Sequence, residues 1–288
     1  MSSAVDAVTN RTKEPSPPWA LWLRQIGAIF RFEVQKNFLG RRAILIYLLA
    51  LLPLFPLLIL AVVQPPGNEW RDFNKIKEIY AVLYNGLILR TVVFFGSAWI
   101  FMNLFRGEIV DRSLHYYFLS AVRRDVLLVG KYIAGLVTSI VLFVGTTVVA
   151  ILLLYLPHFY SQSMRYFGEG QGMGQLLTYA GITILACIGY GAFFLVVGLF
   201  IRNPIIPALL LYGWEWLNFL LPPLLKKISV IHYLNSLVPI PISEGPFAVI
   251  AEPTPAYIAV PSMLVVTIIV LIVAAYRIRH MEIRYGSD

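Results

Sequence analysis

Six stretches of this chain are each about as long and as apolar as a bilayer core requires, at about 20 residues per crossing. They cover residues 43–63, 80–105, 132–156, 175–201, 205–224 and 256–276. In lipid no water is at hand for an exposed N–H or C=O, so each such stretch must close its hydrogen bonds within a helix. Composition agrees: of 288 residues 59% are hydrophobic and only 13% charged, where soluble domains carry about 25% charged residues. With a mean hydropathy of +0.75, the chain reads as an all-α integral membrane protein with six transmembrane helices. The same figures exclude a disordered chain and argue against a soluble enzyme.

Six crossings put both termini on one side, and charge selects the side. With residues 1–42, 106–131, Arg202 and the C-terminus inside, sixteen of the 23 Lys and Arg lie inside and six outside, and Arg90 falls within a span. The excess of inner cations places both termini in the cytoplasm, the chain being multi-pass in the cell (cytoplasmic or inner) membrane. That excess also accounts for the pI near 9.6 without nucleic acid. The four histidines are scattered and Cys187 is the one cysteine, so no local metal motif and no intrachain disulfide is expected.

Outside the lipid the chain divides as follows. Residues 1–17 are polar and proline-bearing and read as a disordered cytoplasmic tail, and 277–288 as a second tail. Over 18–42, Trp19, Trp22, Leu23, Ile26, Phe30, Val34 and Phe38 recur at three- and four-residue spacing, with Arg24, Arg31 and Lys36 mostly elsewhere on the wheel. That pattern fits an amphipathic helix lying in the membrane interface, or one packed on a partner. The loop 106–131 shows one short apolar stripe and a second short helix capped by Ser120. Exposed Glu108, Asp111, Arg123 and Arg124 would make it a docking surface, or only a solvated loop that enforces orientation. Residues 157–174 carry four glycines and read as a mobile loop, and 225–255 hold an apolar run too short to span, which fits a re-entrant segment.

Two charges lie inside spans. Arg90 and Glu215 each stand ten positions from a span end, about 15 Å deep at 1.5 Å per residue. An ion at that depth costs roughly 2.5–3.5 kcal/mol on insertion scales, so it needs a partner. A buried Arg90–Glu215 pair is expected, as a gate or as a packing clamp. Phe94, Phe95, Trp99, Trp214, Trp216 and Phe219 surround the two in sequence. Pro53 and Pro56 should bend the first span, and Gly181, Gly189, Gly191 and Gly198 allow close helix approach in the fourth.

The inside loop carries a further pattern: Glu108-x-x-x-Arg112-Ser113-Leu114, then Phe118-Leu119-Ser120-Ala121-Val122-Arg123-Arg124, then Lys131. It resembles the first cytoplasmic loop of ABC-2-type transporter permeases, with Arg112 where Gly is usual and Ala121 where Pro is usual. An N-terminal elbow helix over 18–42, six spans over 43–276 and a coupling loop at 106–131 match the same plan. The resemblance implies one half of the membrane part of an ATP-driven exporter. Two permease subunits, identical or different, would form the path, and two copies of an ATP-binding cassette subunit would dock on them. Docking would use the elbow helix (Arg31, Lys36) and the coupling loop (Glu108, Asp111, Arg112, Arg123, Arg124, Asp125). Spans two and five would line the path, where the aromatics named above would suit an apolar or amphipathic cargo. ATP and Mg would sit on the partner subunit, and this chain would bind no cofactor. Consistent with that, Gly130-Lys131-Tyr132 is no phosphate-cradling loop, since Asp125 stands at the first Gly position and Tyr132 at the hydroxyl position. The alternative is an ion-coupled carrier or channel built on Arg90 and Glu215. A membrane-embedded enzyme is the least favoured, because the spans hold no cluster of nucleophiles or paired acids.

Overall fold

A computed structural model describes residues 18–41, 43–63, 73–110, 117, 119, 122–155, 160–201, 203–240, 249 and 252–280. Among them every regular element is helical. In chain order these are α1 (Pro18–Leu39), α2 (Ala43–Leu51), α3 (Leu54–Val63), α4 (Phe73–Leu83), a π-helical segment (Tyr84–Val93) and α5 (Phe94–Val110). There follow α6 (Arg124–Tyr155), α7 (Tyr160–Gly168), α8 (Gln171–Phe200), α9 (Ile205–Trp216) with a 3-10 turn (Leu217–Leu220), α10 (Pro223–Lys226), α11 (Val230–Ser236) and α12 (Ala256–Arg279). Residues 1–17 and 281–288, where tails are expected, lie outside the described residues, while Arg277 and Arg279 belong to the last turn of α12.

Among the described residues four helices are long and apolar enough to cross a membrane: Asn74–Val110, Arg124–Tyr155, Gln171–Phe200 and Ala256–Arg279. Their outward surface is apolar as well. On α12, Val265, Val266, Ile268, Ile269 and Ile272 are each more than half exposed. A continuous apolar face of that kind belongs against lipid or protein, not water. The protein is a helical membrane protein.

The other two apolar stretches are interrupted. Residues 43–63 form two helices broken at Leu52 and Pro53, because Pro53 has no N–H to give the preceding turn and its ring crowds the carbonyl there. Pro56 sits in the first turn of α3, where a missing N–H costs nothing. Residues 205–224 give an apolar helix over Ile205–Leu220, whose last turn tightens to 3-10 before Pro222. Within the run expected to be re-entrant, Val230–Ser236 form α11, with Ile231 and Leu234 fully buried.

Helices α6 and α8 start earlier than their apolar runs, at Arg124 and Gln171. The described part of the Gly-rich stretch is therefore helical rather than a mobile loop. Only a short break separates α7 from α8, where Gly170 has φ +86°, a conformation glycine adopts without strain.

The centre of the bundle is α5 against α8. Their backbones approach closely because two glycines have no side chain to hold them apart. A Cβ on Gly198 would lie 2.8 Å from the Met102 carbonyl oxygen, and one on Gly191 would lie 2.6 Å from the Phe101 ring. Gly181, by contrast, has nothing within 4 Å. Gly198→Ala is therefore expected to lower the midpoint of thermal unfolding, an overpacking cost of about 1–3 kcal/mol, whereas Gly181→Ala, with open space around it, does not lower it. Melting the two detergent-solubilised variants side by side checks this, and equal midpoints would contradict the close approach.

Candidate functional site: a buried charge cluster beneath the N-terminal helix

Helix α1 lies along the first half of α6. Its covered face runs through Trp22, Ile26, Ile29 and Glu33, residues three and four apart, with Ile29 and Glu33 buried. Gly130 of α6 makes room there, since a Cβ on it would meet Ile29 Cγ2 at 3.0 Å. This corrects the expected apolar stripe. Trp19 and Leu23 point away from the bundle and are exposed, and a carboxylate takes a place inside the contact.

Glu33 is tolerated there because Lys131 meets it. Lys131, fully buried on α6, donates from Nζ to Glu33 Oε1 and, at 2.7 Å, to Glu108 Oε1 near the end of α5. Lys36 Nζ donates to the same Glu108 oxygen at 3.3 Å and stands 4.0 Å from Glu33 Oε2. Two ammonium and two carboxylate groups thus alternate around a small circuit with no net charge. Taking a charge out of water is costly unless an opposite charge and hydrogen bonds replace the water. The cluster meets that condition and ties α1, α5 and α6 together at one point.

The rings of Tyr117 and Phe105 lie 5.1 and 5.5 Å from Lys131 Nζ. Burial, with the negative charges of Glu108 and Glu33 beside it, raises the Tyr117 hydroxyl above the usual phenol range. Tyr117 therefore stays a neutral donor next to the carboxylates.

The loop pattern places Glu108 on an exposed docking surface, and the structure corrects this. Glu108 is buried, because α5 continues as helix to Val110 and carries it under α1. Lys36 likewise turns inward, with a third of its side chain exposed. Asp111, Arg112 and Ser120 lie outside the described residues. Of the expected docking cations that are described, Arg31 on α1 and Arg123 just before α6 face outward. Arg123 stacks 4.7 Å above the Trp22 ring and contacts Asp125 at 3.3 Å. Asp125 also accepts two hydrogen bonds from Arg279, at 2.6 and 2.7 Å. Arg124 donates to the carbonyls of Ile278 and Arg279, satisfying the last acceptors of α12. One end of the bundle is therefore stitched through α1, the start of α6 and the end of α12.

The intramembrane charges differ from the expected pair. Glu215 lies at the end of α9. Its carboxylate accepts from Ser229 Oγ at 2.7 Å, the Val230 N–H at 3.1 Å and the Ile231 N–H at 2.9 Å. These donors open α11, whose unsatisfied N–H groups suit a carboxylate. The Arg90 guanidinium lies 5.8 Å from the Trp216 ring centre. The two charges still share a neighbourhood with buried Tyr190. Arg90 itself stands in the π-helical segment, where Thr91 Oγ1 donates to the Gly86 carbonyl five residues back. Segments of this kind are frequent at functional positions.

The expected path aromatics divide. Phe94 is fully buried among Tyr190, Phe194 and Tyr212. Phe95 packs on Tyr212, with ring centres 4.6 Å apart. Trp214 and Phe219 are partly covered, and Trp216 is exposed. Trp99 lies apart from these, on a cleft beside the charge cluster.

The sequence patterns do not single out Glu33, and they include Lys131 only as the end of the loop motif. The signal for Glu33 is its wheel position, seven residues after Ile26 and four after Ile29. Comparison of the chain with protein-family models, curated proteins and solved structures gives no match.

Proposed function

We propose that this chain is the membrane-spanning permease subunit of an ATP-driven exporter. It crosses the membrane six times with both ends in the cytoplasm, pairs with a second permease subunit, and is driven by two copies of a separate ATP-binding subunit. The observation that carries the reading is the Glu33–Lys131–Glu108 cluster. A partner pushing on α1 or on the chain just before α6 would move the end of α5 with it, because burial makes their separation costly. A chain whose helices only packed in lipid would not need three charged residues from three segments at that point. The loop pattern that contains Glu108 and Lys131 supports the same reading. A carrier built on Glu215 is less well supported, since both its oxygens are already taken by Ser229, Val230 and Ile231.

Gentle purification from native membranes is the test. A stoichiometric ATP-binding subunit and ATPase activity are expected with the wild type. Reversing the outward cation on α1, Arg31→Glu, is expected to weaken the hold on that subunit while leaving the permease folded. A protein that purifies alone and does not respond to ATP would overturn the proposal.

A further inference from the structure

Beside the charge cluster a cleft of about 210 Å³ opens between the end of α1, the start of α2 and the middle of α5. It has two chemically distinct halves. Lys36, Asn37 and Arg41 form a polar side, and Ile46, Ile100 and Leu104 form an apolar side. Asn103 and Trp99 of α5 line it as well, with Trp99 partly exposed. Beside Ile46 on α2, Leu49 three residues on is partly exposed, and Leu45, four residues before Leu49, is 45% exposed, so an apolar flank of the helix adjoins the cleft. This division follows from the turn at Gly40, which joins an amphipathic helix to an apolar one and whose carbonyl accepts from the Ala43 N–H at 2.9 Å.

Charge balance narrows the occupant. Glu33 lines the cleft too, but it is neutralised from behind by Lys131, and Lys36 is matched to Glu108. Of these five charged groups, Arg41 remains in excess, exposed at the rim. Among the described residues the site thus offers one net positive charge, which suits a singly charged phosphodiester. The amide nitrogens of Asn37 and Asn103 are engaged, with Thr138 Oγ1 at 3.5 Å and the Trp99 carbonyl at 2.7 Å. Their amide oxygens can accept from ligand hydroxyls.

We infer that this cleft holds the headgroup of an anionic phospholipid of the surrounding leaflet, a phosphodiester carrying hydroxyl groups, with its acyl chains along α2. The position suits it: tryptophan and basic residues gather at the level of lipid headgroups. The inference rests on the membrane character of the protein and not on the exporter reading, and it stands if that reading fails.

The test is native mass spectrometry of the full chain, delipidated in mild detergent and titrated with phosphatidylglycerol or phosphatidylcholine of the same acyl chains. Retention of phosphatidylglycerol over phosphatidylcholine is expected. Arg41→Gln, an exposed change outside the cluster, should weaken phosphatidylglycerol about fivefold, the worth of one basic residue near a lipid headgroup. Arg165→Gln removes the same charge from an 81% exposed site on α7 and should leave binding unchanged. Equal retention of both lipids, no effect of Arg41→Gln, or an equal loss with Arg165→Gln would each overturn the inference. A last arm separates lipid from soluble anion. Glycerophosphoglycerol, the headgroup without acyl chains, should not displace the lipid at millimolar concentration. Displacement would overturn the inference and show that the cleft takes a water-soluble phosphodiester instead.

Discussion

Lys131→Met is expected to have the largest effect on stability of any single substitution in the bundle. The methionine fills nearly the same space but leaves Glu33 and Glu108 buried beside each other, with the half-covered Lys36 as the remaining cation of the cluster. Breaking a buried ion pair from one side costs about 3–5 kcal/mol. The detergent-solubilised variant should therefore melt well below the wild type or fail to accumulate. Adding Glu33→Gln and Glu108→Gln to Lys131→Met removes the stranded charges and should recover much of the loss. That recovery separates electrostatics from packing. A Lys131→Met protein melting with the wild type would mean that the carboxylates find another partner, and the cluster could not then tie α1 to α5.

Glu215→Ala is expected to have the second largest effect. It leaves Ser229 Oγ and the N–H groups of Val230 and Ile231 without their acceptor. A buried donor stripped of its partner costs about 1–3 kcal/mol, and Ser229 and Ile231 are both buried. The exchange Arg90→Glu with Glu215→Arg should rescue nothing, because an arginine at 215 has no oxygen to offer the start of α11. Melting temperatures of the single and exchanged proteins decide the matter. Rescue by the exchange would show that the two charges do act as a direct pair.

The two sites illustrate how far a sequence of this kind can be read. Long apolar runs locate the four long helices because lipid imposes one requirement on every residue along them. They do not locate helix ends. Arg124, Asp125 and Lys131 are charged and 171–174 are Gly-rich, yet both stretches continue α6 and α8 as helix, where contacts with protein rather than lipid hold them. A charge inside an apolar run, such as Glu215, announces that a partner exists. Which partner depends on what the rest of the chain brings near, and here that is a segment fourteen to sixteen residues on. Glu33 is the hardest to see. In an amphipathic helix an acid is ordinarily solvated, and only its place on the Ile26 and Ile29 face sets it apart. Lys131, the ion that makes this burial tolerable, lies 98 residues further along the chain.

The π-helical segment has a consequence for the angular bearing of everything after it. Bonds from i to i+5 fit more residues into each turn than the α pattern does. Each residue of Tyr84–Val93 therefore advances the azimuth by less, and together they set the heading of α5 relative to α4. Glu108 faces Lys131 only at that heading. Were the segment to wind as ordinary α-helix while α4 stayed put, α5 would rotate about its own axis and swing the carboxylate off the ammonium. The aim of a charge near one end of the bundle is thus set by the pitch of a stretch several turns before it in the chain.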